Sequence, residues 1–495
     1  MILALKTDLY WVLSGRIVTA LIAVANLRVM TSFLAPEDLG IYTLLLAFQG
    51  LCGLFLINPV GQHINRHTHF WWDEGSLLKR LAGYNHYLIA VSICIAIIVL
   101  IWWIYYPGPN HLIKDGMLAA LSVSSLVYVG TWNGTFIYIL NMLGFRSTSV
   151  TWMLITSTVG LVFSSILAYK YHTGMSWLLG QAVGMLVGVI GAGLMLAKQH
   201  ISRGEITKHS NKLPKLLDRQ TILTYCLPLA AATGLMWLQN TGYRFWVSEI
   251  WGVAELGIFA IGLNISTQLW AIIESLSMQL LNPYFFRHIT EVQTEKHKAS
   301  ILSDLINIMW PVYAVLAGFN IIFAPSLLNV LTESRYHSAV KFVMLGVIIE
   351  FSRCTTNLWS YTAQIQRRTT NTILPYGLGA VIVWLGILMV TYFNQKINIL
   401  AIVLILSSLV VCMSMILMMQ KMLNVKLDIR RWLVGSGVLL ICLVAGFKMP
   451  IAAQGIYDNI FLLIIGFSIT GSLMIALLWH NPALKRLLSV SLRSS

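Results

Sequence analysis

Charge is what this chain has least of. Only 10% of its 495 residues are Asp, Glu, Lys or Arg, and just 18 are acidic. An ordinary soluble domain carries about 25% charged residues. With 57% hydrophobic residues and a mean hydropathy of +0.76, the apolar surface exceeds what a globular core of this size could bury. Lipid has to cover part of it. Cysteine is sparse too. Cys52, Cys94, Cys226, Cys354, Cys412 and Cys442 all lie in apolar stretches with no CxxC pair, which argues for packed, reduced thiols over a disulfide framework or a metal site. No Walker A sequence is present, so ATP hydrolysis by this chain is not expected, and no cofactor or bound metal is. The apolar runs lack the period-2 alternation of a closed barrel.

What the chain has in abundance is apolar runs of spanning length. A membrane helix needs about 20 mostly apolar residues. Such runs fall at 8–32, 39–58, 84–105, 116–139, 147–169, 175–197, 222–247, 255–281, 305–324, 338–362, 371–393, 398–419, 432–448 and 459–479. The expectation is an all-α integral membrane protein of about fourteen transmembrane helices. The first run contains Arg16 and Arg28 and lacks a small-residue cleavage site, so it reads as a retained helix rather than a signal peptide.

The formal net charge of +15 does not point to nucleic acid, because the basic residues are scattered through short loops rather than gathered on one domain. Topology explains them. With the N-terminus inside, 23 of the 33 Lys and Arg residues fall in cytoplasmic segments, and only Lys114, Lys170, Arg335, Lys341, Lys396 and Lys448 fall outside. That is the positive-inside bias, with both termini cytoplasmic. The expected organisation is an N-lobe of helices 1–6 over residues 1–197, a basic cytoplasmic linker over 198–221, and a C-lobe of helices 7–12 over 222–420. Residues 421–495 supply helices 13–14 and a cytoplasmic tail.

The two lobes carry similar text. FLAPEDLGIYTLLLA at Phe33–Ala47 matches IWGVAELGIFAIGLN at Ile250–Asn264, with Gly40 on Gly257 and Asp38 on Glu255. Arg28 and Arg244 precede the two glycines by 12 and 13 residues, and Arg66-His67 and Arg287-His288 close the second helix of each copy. Both copies start at odd-numbered helices and so share an orientation. This is a parallel repeat about the membrane normal, a pattern common among transporters.

FLAPEDLGIYTLLLAFQGLCGLFLINPVGQHINR in the first two helices and VAELGIFAIGLNISTQLWAIIESLSMQLLNPYFFRH with its Pro283 carry a resemblance. They resemble the polysaccharide transporter family of the multidrug/oligosaccharidyl-lipid/polysaccharide exporter superfamily, which includes the O-antigen-type lipid-linked oligosaccharide flippases. The resemblance implies two pseudo-symmetric six-helix lobes in a V around a cavity of alternating access, plus two C-terminal helices. It implies a bacterial cytoplasmic (inner) membrane location. The substrate would be an undecaprenyl-diphosphate-linked oligosaccharide, with membrane lipid and polysaccharide polymerase or assembly proteins as partners.

Ionisable residues within spans are the sharpest signal that does not depend on family. At a helix centre an Arg or Asp costs about 2.5–3.5 kcal/mol on insertion scales, so such residues face a wet cavity or a partner. Arg16 lies about two turns into helix 1. Arg28 and Arg244 hold equivalent outer positions beside Asn26, Gln239 and Asn240. A planar, permanently charged guanidinium suits a diphosphate, and the amides suit sugar hydroxyls; snorkelling to the interface is the competing role. Glu350 and Arg353 are three apart on helix 10, so they can pair, or act as a coupling site that frees Arg353 for substrate. Glu274 on helix 8 is a second ion-coupling candidate, or pairs with an arginine on helix 1 or 7. Gly180, Gly184 and Gly188 form a small-residue ridge for packing within the lobe. His63, His67 and His69 fall in an expected interfacial loop with Trp71 and Trp72.

No catalytic residues are expected. A membrane-embedded polysaccharide polymerase or ligase would need a sizeable outer loop, and no expected outer loop is long. An ion-coupled drug or metabolite antiporter of the same superfamily remains the alternative, and it would favour acidic and aromatic cavity residues over arginines.

Overall fold

The structure is a computed structural model that describes residues 2–105, 113–204, 219–291, 294–366, 368–448, 451–453, 455–479 and 481–484. Most of the expected linker, Arg367 and the basic C-terminal tail lie outside the described residues. Every regular element among the described residues is helical. Seventeen α-helices follow in order: α1 Ile2–Phe33, α2 Pro36–Leu51, α3 Asn58–Asp73, α4 Leu77–Tyr105, α5 Ile113–Met142, α6 Arg146–Tyr171, α7 Gly174–Gly204, α8 Arg219–Trp237 and α9 Tyr243–Ile250. They continue with α10 Val253–Glu291, α11 Glu295–Ile322, α12 Ala324–Leu331, α13 Val340–Ile365, α14 Ile373–Tyr392, α15 Ile397–Met422, α16 Ile429–Lys448 and α17 Ile456–Trp479. Among the described residues twelve helical segments are long and apolar enough to cross a bilayer, so this is a multi-pass membrane protein. Each of the fourteen expected runs falls on helix; the count of fourteen spans is not confirmed, since the α8–α9 segment and α13 are not among the twelve found in the described residues. Polarity is the reason in α13, which carries Lys341, Glu350 and Arg353.

The chain groups into two compact units, Met1–Gly257 and Ile258–Ser495. In the first, α7 packs against α6 and α5, α4 against α5, and α1 against α6. The α7–α6 contact is made by the small-residue ridge. Gly180 rests on the backbone of Ser164 and Gly184 on that of Gly160, while Gly188 lies against Asn133 and Thr156. The ridge therefore serves packing inside the unit, as its sequence implied. In the second unit α11 is central. Nearly all its residues from Ile301 to Ile321 are buried, against α13, α16 and α17.

Two stretches depart from α geometry. The turns Cys52–Ile57 and Leu238–Gly242 are π-helical, with α2, the first π turn and α3 forming one continuous helix over 36–73. The expected loop after residue 58 is therefore helical to Asp73, and the histidines lie on α3. Pro59 looks like a terminator in sequence, since it has no N–H and its ring crowds the preceding turn. The widened π turn absorbs it. Asn58 N–H donates to Gly53 O in the i→i+5 pattern, and the next bond in that register, to Leu54 O, would need the N–H that Pro59 lacks. A side chain supplies it instead: Thr233 Oγ1 on α8 donates to Leu54 O at 2.6 Å. Tyr87 Oη on α4 donates to Leu56 O at 2.9 Å. The helix ends at Gly75, whose φ of +67° only glycine adopts freely, with Gly75 N–H and Ser76 N–H closing back on Trp72 O and Trp71 O.

α2 starts with Pro36 in its first turn and Glu37 and Asp38 beside the positive end of the helix dipole. α10 starts alike, after Gly252 at φ +88° and with Glu255 in its first turn. Both starts lie in the first unit and touch reciprocally. A Cβ on Gly40 would strike the Val253 carbonyl, and a Cβ on Gly257 would strike the Pro36 carbonyl. The sequence repeat pairs Gly40 with Gly257 and Pro36 with Val253, so residue contacts mirror themselves as they do across a two-fold axis.

Candidate functional site

In the second unit, α10 and α13 bring three charged side chains together. Arg353 Nε donates to Glu350 Oε2 at 2.7 Å, one helical turn away. Arg353 Nη2 donates to Glu274 Oε2 at 3.1 Å across the helix–helix contact. The remaining carboxylate oxygens are also satisfied: Thr267 Oγ1 donates to Glu350 Oε1 at 2.9 Å, and Asn357 Nδ2 donates to Glu274 Oε1 at 2.9 Å. Tyr313 lies within electrostatic range of Glu274 and Arg353, and Tyr376 within range of Arg353. The side chains of Arg353, Glu274 and Glu350 are 30%, 17% and 9% exposed, so the group is mostly withdrawn from solvent but open on the arginine's side.

The expected Glu350–Arg353 pair is formed. Glu274 finds its arginine on α13, the expected helix 10, rather than on helix 1 or 7. Desolvating three charges is costly unless every lone pair and proton has a partner, and here the hydroxyl and amide complete the set. The group holds two carboxylates and one guanidinium. With both carboxylates ionised it carries one negative charge, a place for a proton or a small cation to add.

Thr267 and Asn357 were not singled out in sequence, though a signal was there. Thr267 lies seven residues before Glu274, and Asn357 four after Arg353 and seven after Glu350. Those are helical repeats of one face.

The first unit holds the other candidates. Arg16, Arg28 and Asn26 are half-buried on α1, and Arg244 is half-buried at the start of α9. Gln239 and Asn240 sit in the second π turn, where Gln239 is 5% exposed. Single π turns inside helices recur at functional sites, because the extra residue redirects side chains and frees carbonyls. Asn26 Oδ1 accepts from Gln181 Nε2 on α7 at 3.1 Å, so the polar set extends to a residue the sequence reading passed over. Arg244 is within electrostatic range of Tyr42, four residues after Asp38 in the repeat motif. The face of α1 beside Arg16 is set by Gly15, which packs on Val150 of α6. On α3, His67 stacks on Trp71 at 5.5 Å between ring centres, and its Nδ1–H donates to His63 O at 2.8 Å.

No family model and no curated protein sequence matches the chain. Solved structures do, in fold. A lipid II flippase, MurJ, in an inward closed conformation aligns over 95% of this chain and 99% of its own, with a TM-score of 0.60 and 11% identity. An inward-facing multidrug resistance MATE family transporter of the MOP superfamily aligns over 88% and 96%, with a TM-score of 0.54 and 13% identity. A MOP superfamily transporter from Pyrococcus furiosus aligns over 88% and 94%, with a TM-score of 0.52 and 12% identity. The chain has the fold of these transporters. At such identities the likeness concerns the fold alone.

Proposed function

We propose that this protein is a flippase. It carries an undecaprenyl-diphosphate-linked oligosaccharide, such as an O-antigen or related surface-polysaccharide repeat unit, from the cytoplasmic to the outer leaflet by alternating access. The observation that carries this reading is the retention of Arg16, Arg28 and Arg244 at half-buried positions in the helices of the first unit, together with the amides of Asn26, Gln239 and Asn240. Guanidinium groups within membrane helices face a wet cavity or a polar partner, and those are the surroundings in which an anionic substrate can meet them. A diphosphate gives each a bidentate partner, and the amides offer donors and acceptors to sugar hydroxyls. The prenyl tail needs no polar path, since it stays in lipid.

The Glu274–Arg353–Glu350 group supports coupling to an ion gradient. Adding a proton or cation to the carboxylates loosens their hold on Arg353 and so makes its guanidinium available to substrate. One charge moved through 100 mV supplies about 2.3 kcal/mol, enough to bias a cycle. An ion-coupled drug antiporter is the second reading, favoured by the net negative character of that group. The two differ in what the first-unit arginines do.

The test is reconstitution into vesicles with a labelled lipid-linked oligosaccharide on one face. Arg16→Ala, Arg28→Ala and Arg244→Ala are expected to lower translocation at least tenfold while the protein remains inserted. Unchanged translocation by all three would remove the role given to these arginines, and export of cationic drugs with no translocation of the glycolipid by the unaltered protein would move it to the antiporter reading.

A further inference from the structure

Away from those residues, the first unit encloses a second site. A cavity of about 530 Å³ lies among the first π turn, α3, α4 and α8, a size usual for ligand pockets. Its walls are almost wholly carbon. The lining residues that carry polar atoms are His63, Trp71, Arg80, Tyr84, Tyr87 and Cys226, with no carboxylate among them; the Cys226 thiol is turned to Pro59 O. Tyr87 is already spent on Leu56 O. Trp71 and Tyr84 are 5% and 7% exposed, yet Trp71 Nε1 and Tyr84 Oη have no hydrogen-bond partner. Buried donors of this kind are rare in native structures, and each costs about the desolvation of the group unless something meets it. The Arg80 guanidinium lies over the Trp71 ring, 5.8 Å from its centre, and has no ion-pair partner among the described residues.

All three unmet groups can donate, and one is a fixed cation. The complementary ligand therefore presents several acceptor oxygens and negative charge at one end and apolar chain at the other. The mouth decides how it arrives. Phe55 and Leu227 among its lining residues are 42% and 70% exposed, an apolar lip of the kind that an acyl chain can cover. Trp71, Trp72, Lys79 and Arg80 cluster where α3 turns into α4. Indoles and basic residues at a helix turn mark the headgroup level of a bilayer, and basic pockets between membrane helices take anionic headgroups.

We propose that this cavity is a binding site for an anionic phospholipid, its phosphate on Arg80, Tyr84 Oη and Trp71 Nε1 and one acyl chain lying along the carbon walls. The proposal does not depend on the flippase reading, since a resident lipid would occupy the site whatever the transporter carries.

The test uses the full chain, purified in mild detergent, stripped of lipid and titrated with phosphatidylglycerol or phosphatidylcholine, bound lipid being counted by native mass spectrometry. Phosphatidylglycerol is expected to bind about tenfold more tightly than phosphatidylcholine, since only the former keeps net charge for Arg80. Arg80→Gln should remove that preference. Tyr84→Phe deletes one donor, keeps the ring, and should weaken binding several-fold without loss of folding, because that donor is not used within the protein; Trp71→Phe deletes the other donor at the cost of a smaller ring and should weaken binding by at least as much. Leu227→Trp, at an exposed position of the rim, should close the mouth. The proposal is overturned if the two lipids bind alike, if Arg80→Gln combined with Tyr84→Phe binds phosphatidylglycerol as the unchanged protein does, or if a polyprenyl phosphate occupies the site and phosphatidylglycerol does not.

Discussion

Arg353 is held by two carboxylates from two helices, so removing it does more than delete a charge. Arg353→Leu leaves Glu350 and Glu274 facing one another without a cation. Breaking a buried ion group by deleting one partner costs about 3–5 kcal/mol, and the 30% exposure of Arg353 places this case near the low end. The expected result is a fall in the thermal unfolding midpoint of the detergent-purified protein. Adding Glu350→Gln and Glu274→Gln to Arg353→Leu should recover most of the loss, because no uncompensated charge then remains. A merely surface arginine would show neither effect. Under the coupling role, Glu350→Gln alone behaves differently: the fold persists, since Thr267 can still pair with the amide, while dependence of transport on an imposed ion gradient is lost. Gradient-driven uptake into vesicles measures this directly.

At the scale of helices, the interruption at Pro59 makes the sharpest demand. Leu54 O is the shortest of three contacts of the Thr233 hydroxyl, at 2.6 Å against 2.9 Å to Leu229 O and 3.3 Å to Ala230 O, and Thr233 is 9% exposed. Thr233→Val keeps the shape, removes the donor and strands a carbonyl, at a cost of about 1–3 kcal/mol. Thr233→Ser should restore most of it, and thermal unfolding of the three proteins is the check. The same helix shows what sequence could and could not convey. Apolar run length located every long helix, since the bilayer leaves few other solutions. It did not show that 36–73 is one helix, because Pro59 and the polar run from Gln62 to His69 imitate a terminus, and what keeps the helix going is a partner on α8, far away in the chain. The pairing of Glu350 with Arg353 was legible from a three-residue spacing. Its completion by Glu274, Thr267 and Asn357 needed the register of α10 against α13, which no local pattern encodes. Likewise the cavity beside α3 was invisible, as His63 and Trp71 read as loop residues.

For the molecule as a whole, the internal repeat and its meeting point carry the argument furthest. A glycine within a helix costs about 1 kcal/mol relative to alanine, so Gly40 and Gly257 would favour replacement if space allowed. Space does not allow it, since each faces the other copy's carbonyl. Gly40→Ala and Gly257→Ala should therefore each separate the starts of α2 and α10. Once either has done so, the second substitution meets a contact already broken. Their effects on the unfolding midpoint should fall clearly short of additive, which a double-mutant cycle measures. In the proposed alternating cycle, contact between equivalent helix starts belongs to one state and must open in the other. A wedge there shifts the population towards the opened state. A cysteine introduced by Val253→Cys should then react faster with an impermeant maleimide when Gly40→Ala is present, with no substrate added. Equal reaction rates in the two backgrounds would mean that the contact is a permanent seam, and the opening would have to occur elsewhere in the fold.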